Sequence, residues 1–261
     1  MSSPGFGLNL DYRVSGPPDA PVLVLGNSLG TSKRVWAPQL PTFAEHFRLI
    51  QFELPGHGGS GALPVPYSVE ALALGVVGLL DAKGIERASY CGISLGGMIG
   101  MELAAHHPER IDRLGLVCTA AYLPPASGWH DRAALVETAG LTSVIDQSIG
   151  RWFTPEFAAS HPELVAEFAE DLRTILPSGY SGCCYAIASM DLRPCLGEIS
   201  APTLVISGGR DPSTPPAHGA AIAAGIPGAQ HLVIQDTAHL GNVGASEQVT
   251  RALKEHLTRA I

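Results

Sequence analysis

Residues 88–98 read Ala88-Ser89-Tyr90-Cys91-Gly92-Ile93-Ser94-Leu95-Gly96-Gly97-Met98. A short apolar run leads into Gly-x-Ser-x-Gly, and a helix-forming run follows. That order places a serine on a sharp strand-to-helix turn, strained in its backbone, with its hydroxyl exposed above a sheet. Gly92 and Gly96 fall where strand and helix pass too close to admit a Cβ. The helix N-terminus would set amide N–H groups and the positive end of a dipole beside any oxyanion forming at that serine. The motif alone is a modest signal, and its weight depends on what surrounds it.

Apolar runs alternate with helix-like segments on both sides, the pattern of a mostly parallel sheet covered on both faces. Strands are expected at Leu8–Val14, Pro21–Leu25, Arg48–Glu53, Ala88–Ile93, Leu114–Cys118, Thr203–Ser207 and Gln230–Ile234. Helices are expected at Ser68–Lys83, Leu95–His107, Pro216–Ala224 and Ser246–Ala260, with Ser68 as an N-cap and Pro108 as a stop. From about 121 to 194 strand-like runs vanish. Helical segments such as Arg132–Glu137, Thr142–Trp152 and Pro162–Leu176 follow one another, broken at Pro124-Pro125, Gly128, Gly140 and Pro177. The expected organisation is a core from 1–120 and 195–261 with a helical lid, 121–194, inserted between two strands.

With 46% hydrophobic and 15% charged residues in 261, the chain can bury a large core in one domain plus an insertion. A net charge of −8 argues against a nucleic-acid surface, and it requires any anionic ligand to find locally placed cations. The five cysteines contain no C-x-x-C and are read as reduced thiols. Met1–Leu10 has no basic region followed by an apolar run, and no apolar run is long enough to span a membrane, so a cytoplasmic protein is expected. No cluster has metal-ligand spacing, and no cofactor is expected.

A serine on such a turn needs a base and an acid. Asp211, in the Gly/Pro-rich loop after Val205-Ile206-Ser207, can reach over the end of its strand. Asp236 is a rival, but it lies only three positions from the expected histidine. The bland reading of Asp211 is an Asx-turn before Pro212. His239, in Thr237-Ala238-His239-Leu240-Gly241-Asn242, is the expected base, while His57 in Pro55-Gly56-His57-Gly58 reads as part of a structural turn. The order Ser94, Asp211, His239 resembles that of the α/β-hydrolase fold. An oxyanion hole would then use the backbone N–H of Leu95 and, from the loop Gly26-Asn27-Ser28-Leu29-Gly30-Thr31, that of Leu29.

A closer resemblance rests on further pieces. These are Asn27-Ser28-Leu29-Gly30-Thr31 with Trp36, Pro55-Gly56-His57-Gly58, and Cys91 through Gly100. Within 121–194 they are Gly128-Trp129-His130-Asp131-Arg132, Arg151-Trp152-Phe153-Thr154 and Gly179-Tyr180-Ser181-Gly182-Cys183-Cys184; Ala238 through Asn242 completes the set. Across nearly the whole chain these resemble the 3-oxoadipate enol-lactonases of the β-ketoadipate pathway. The chain departs from them at Glu53-Leu54-Pro55, where Asp-x-Arg is common, and at Gly244, where an acid is common. Some relatives are fused to a 4-carboxymuconolactone decarboxylase domain; that second activity is not expected here.

The resemblance implies a small anionic lactone as substrate, with no nucleic acid, membrane or cofactor involved. It also implies a cation for the substrate's carboxylate. Arg132, beside Trp129, is favoured, with Arg151, Lys33 and Arg34 as alternatives. Each arginine could instead lie on a solvated face or in a salt bridge, and Trp129 and Trp152 could simply be lid core. Another hydrolase of the same fold, or a hydrolase-fold receptor, remains an alternative, because fold and triad do not set the substrate.

Overall fold

The computed structural model describes residues 10–259. Residues 1–9, with the start of the expected first strand, and Ala260 of the expected last helix lie outside the described residues. Among the described residues one seven-stranded sheet runs in the order β1-β3-β2-β4-β5-β6-β7. Its strands are β1 (Tyr12–Ser15), β2 (Val22–Gly26), β3 (Arg48–Phe52), β4 (Ala88–Ile93), β5 (Ile111–Val117), β6 (Thr203–Gly208) and β7 (Gln230–Ile234). β1 pairs antiparallel with β3, and every other pair is parallel. β4 is buried at all six positions, as a central strand covered on both faces must be.

The helices are α1 (Leu40–Phe43), α2 (Val69–Ala82), α3 (Leu95–His106), α4 (Ala126–Ala139), α5 (Ile145–Trp152), α6 (Pro155–Ser160), α7 (Pro162–Arg173), α8 (Pro177–Ser189), α9 (Pro216–Gly225), α10 (Gly241–Gly244) and α11 (Ser246–Thr258). The Ser68 side chain accepts from the Ala71 N–H and caps α2 as expected. α4 through α8 follow β5 without an intervening strand of the sheet, and the chain then returns to β6. No helix among the described residues is long and apolar enough to cross a membrane.

Three expectations shift. The strand expected at Leu114–Cys118 begins at Ile111, because Ile111 pairs with Ala88; Asp112 and Arg113 had interrupted its apolar run. The first strand sits at Tyr12–Ser15, in register with β3 from Phe52 to Leu49. Pro177 opens a helix instead of ending one. It occupies the first turn of α8, where its missing N–H costs nothing. α8 in turn makes its most extensive packing contact with α4.

Candidate active site

The turn between β4 and α3 places Ser94 at φ 55°, ψ −119°, a backbone few non-glycine residues adopt. An ideal Cβ on Gly92 would stand 2.1 Å from the Gly96 carbonyl oxygen, and one on Gly96 would stand 2.3 Å from that of Gly26. Only glycine fits at either place.

Ser94 Oγ lies 2.9 Å from His239 Nε2, and His239 Nδ1 lies 2.8 Å from Asp211 Oδ2. All three residues are buried. Asp211 comes from the loop after β6 and His239 from the loop after β7, both at the carboxyl ends of parallel strands. The other Asp211 oxygen accepts from the backbone N–H groups of Ser213 and Thr214 at 2.8 and 3.0 Å. The Thr214 hydroxyl donates to Oδ2 at 2.7 Å. Both readings of Asp211 therefore hold at once: one oxygen closes an Asx-type turn while the other faces the imidazole. Burial raises the Asp211 carboxyl, but the His239 charge and these hydrogen bonds together hold it below its ordinary value. The rival, Asp236, is exposed and makes no hydrogen bond to His239.

Among the described residues neither the Leu29 nor the Leu95 backbone N–H finds a protein acceptor. Several nearby amides are engaged: Gly30 N–H donates to His57 Nε2 at 3.1 Å, Thr31 N–H to the Ser28 carbonyl, and Gly96 N–H to the Asn27 carbonyl. His57 is fully buried, with Nδ1 2.9 Å from the Pro55 carbonyl. Burial lowers it to about 4, so the ring is neutral and its Nε2 is free to accept. His57 thus pins the loop that carries Leu29, a role its turn-like sequence gave no sign of.

Glu53 braces the same loop from the other side. It accepts from the Asn27 side chain at 3.2 Å and from the Lys33 N–H at 3.1 Å. Burial raises its carboxyl from 4.5 to about 7, against the pull of the Lys33 contacts. Between those values the unfolded state has lost a proton that the folded state keeps, so the contribution of Glu53 is full below 4.5 and is lost as pH rises through 7. His57 acts in reverse: its contribution is full above 6.5 and is lost as pH falls toward 4. The two oppose each other in mildly acid solution. Glu53→Gln removes one of them, so its stability relative to wild type should climb by on the order of 2–3 kcal/mol between acid and neutral pH. Urea unfolding at a series of pH values checks this, and a pH-independent difference would refute it.

Beside Ser94 lies a cavity of about 160 Å³, smaller than the roughly 300–1,000 Å³ of sites that hold drug-sized ligands. Its walls include Trp129, Trp152, Tyr180, Arg132 and Arg151, and among the described residues no Asp or Glu. Trp129 donates from Nε1 to the Leu123 carbonyl at 3.2 Å. Arg132 is held by three neutral acceptors: Tyr180 Oη at 2.8 Å, Ser148 Oγ at 2.8 Å and Gln147 Oε1. Arg151 stands exposed at the cavity mouth, and its guanidinium has no hydrogen-bond or ion-pair partner among the described residues. Partial desolvation, and then the Arg132 charge, lower its pKa. Lys33 and Arg34 are consumed elsewhere, Lys33 by Asp11 and Glu53 and Arg34 by Glu167 and Asp171. Neither lines the cavity. The polar cradle of Tyr180, Ser148 and Gln147 around Arg132 was not visible in the sequence, where these residues stand far apart.

Comparison with known proteins bears on the fold and the family. A family profile described as alpha/beta hydrolase fold matches residues 21–139, and one described as TAP-like protein matches residues 180–260. The chain is 37% identical to 3-oxoadipate enol-lactonase 2 of Acinetobacter baylyi, over 96% of this chain and 93% of that protein. It is 29% identical to RutD of Stutzerimonas stutzeri, described as a candidate carbamate hydrolase, over 95% of this chain and 96% of that protein. The crystal structure of the enol-lactonase from Burkholderia xenovorans LB400 superposes with a TM-score of 0.94 at 37% identity, covering 97% of this chain and 98% of that one. Sheet, turn and order of site residues, with this likeness along the whole length, lead to one conclusion: the chain belongs to the 3-oxoadipate enol-lactonase family of the α/β-hydrolases.

Proposed function

We propose that this protein is a serine hydrolase that opens 3-oxoadipate enol-lactone to 3-oxoadipate. The observation that carries the reading is a small cavity, in a protein of net charge −8, lined by two arginines and no acid, beside a Ser–His–Asp array. A ligand for such a cavity is compact and anionic and has a carbonyl within reach of Ser94.

His239 Nε2 takes the Ser94 proton as Oγ attacks the lactone carbonyl. Asp211 holds the imidazole in the tautomer with the proton on Nδ1 and stabilises the imidazolium. The Leu29 and Leu95 N–H groups receive the oxyanion, a contribution often worth about 3 kcal/mol. Collapse of the tetrahedral intermediate breaks the ring C–O bond. The leaving oxygen is an enolate, a better leaving group than an alkoxide, and the imidazolium can return the proton to it. Tautomerisation to the ketone then makes ring opening effectively irreversible. Water, deprotonated by His239, cleaves the acyl-serine and releases the second carboxylate. Arg132 and Arg151 supply the positive charge for the carboxylate the substrate already carries. Residues 121–194 form the lid that brings them there. The free thiols favour a reducing compartment, the cytoplasm.

A substrate panel tests this. The enol-lactone should be turned over with kcat/KM at least about 100-fold above neutral p-nitrophenyl esters and alkyl carbamates. Equal or better use of a neutral ester or a carbamate would move the protein to another branch of the fold.

A further inference from the structure

Helix α5 carries five links between the cavity and the catalytic groups. Its Ser148 accepts from Arg132, and its Arg151 presents the unpartnered guanidinium. The last carbonyls of a helix have no partner within it. Here the Arg151 carbonyl accepts from the His239 N–H at 3.3 Å and the Trp152 carbonyl from the Leu240 N–H at 3.0 Å. The Trp152 ring also backs the oxyanion loop, so close that a Cβ on Gly30 would meet it at 3.2 Å. The base and one of the two oxyanion amides therefore lean on the helix that holds the cavity's free cation.

We infer that Arg151 is a specificity-determining residue that converts binding of the substrate's carboxylate into turnover, by fixing α5 and through it His239. The inference rests on the enol-lactonase reading for the identity of the carboxylate, but not for its existence. Arg132 is already fixed by its three acceptors and provides a standing charge that attracts anions. Among the described residues Arg151 has no partner, so an arriving anion is what would hold it. Two like charges with no acid between them are relieved when a carboxylate enters. Ordering Arg151 orders the end of α5, whose carbonyls set the position of the His239 backbone. Interaction energy used in that way raises kcat and leaves KM nearly unmoved.

The test measures kcat and KM for wild type, Arg151→Gln and Arg151→Lys on two pairs of substrates. One pair is the enol-lactone and its methyl ester; the other is monovinyl adipate and vinyl hexanoate. In Arg151→Gln the charged-to-neutral ratio of kcat should fall about 30-fold, with KM for the charged member moving less than about 3-fold. Arg151→Lys should recover part of the loss, because it restores the charge without the fork. The exposed side chain makes no bond among the described residues, so thermal unfolding should be unchanged in both variants. A rise in KM alone, an equal loss on charged and neutral members, or no change in either pair would overturn the inference. If wild type ignores the enol-lactone but prefers monovinyl adipate through Arg151, the inference stands and the substrate assignment falls.

Discussion

Ser94→Ala should lower kcat on the enol-lactone by about 10⁴-fold or more while leaving KM and the unfolding temperature almost unchanged. The loss is large because the whole sequence of steps runs through Oγ, 2.9 Å from the base that activates it. Folding is spared because Oγ makes no other bond among the described residues and alanine inherits the same backbone at φ 55°. Binding is spared because the arginines and tryptophans of the cavity are untouched. Steady-state kinetics and differential scanning fluorimetry together check the split. Residual turnover above about 1% would mean that another group attacks the carbonyl, since oxyanion donors and binding alone leave far less.

Together with Gly92→Ala, Gly96→Ala should be among the most damaging of the single-methyl changes. Its Cβ would meet the Gly26 carbonyl oxygen at 2.3 Å and the Asn27 nitrogen at 2.9 Å. Both obstacles are backbone, so no side chain can swing away. The helix must lift off β2, and the Gly96 N–H to Asn27 carbonyl bond must stretch or break. Leu95 N–H on one side and the Leu29 loop on the other would lose their mutual register. The expected cost is about 3 kcal/mol or more, at or above the top of the usual range for overpacking, and surviving protein should be largely inactive. Gly150→Ala is the control. It lies in α5 with nothing among the described residues within 4 Å of a Cβ, and should gain up to about 1 kcal/mol from helix propensity. Urea unfolding of the pair separates the two cases; similar stability for both would refute the close-packing argument.

The parts that were legible in the chain share one property: they are local. Gly92-Ile93-Ser94-Leu95-Gly96 declares its turn because the backbone there admits few other residues. Asp211 and His239 could be found because each sits just past an apolar run, and the ends of parallel strands converge on one edge of a sheet. What escaped depends on distant partners. α8 was hidden behind Pro177, which reads as a breaker in sequence. In the fold Pro177 opens the helix, Gly179 lets it approach Gly56, and Gly182 makes room for the Tyr67 ring. In sequence Arg132 is set above Arg151 only by its neighbour Trp129. Only the contacts of Tyr180, Ser148 and Gln147 show one fixed and one free. The helix from Ala126 extends six residues ahead of the expected Arg132 because it begins after Pro125 without a side-chain cap, the signal that marked α2.

The most direct test of the account joins the triad to its substrate. Purified protein is added to 3-oxoadipate enol-lactone at neutral pH in a pH-stat while the ring absorbance is followed. The account requires loss of the ring to completion, with kcat/KM above about 10⁴ M⁻¹s⁻¹. One equivalent of acid should be released per lactone opened. Loss of absorbance no faster than the spontaneous rate would contradict it.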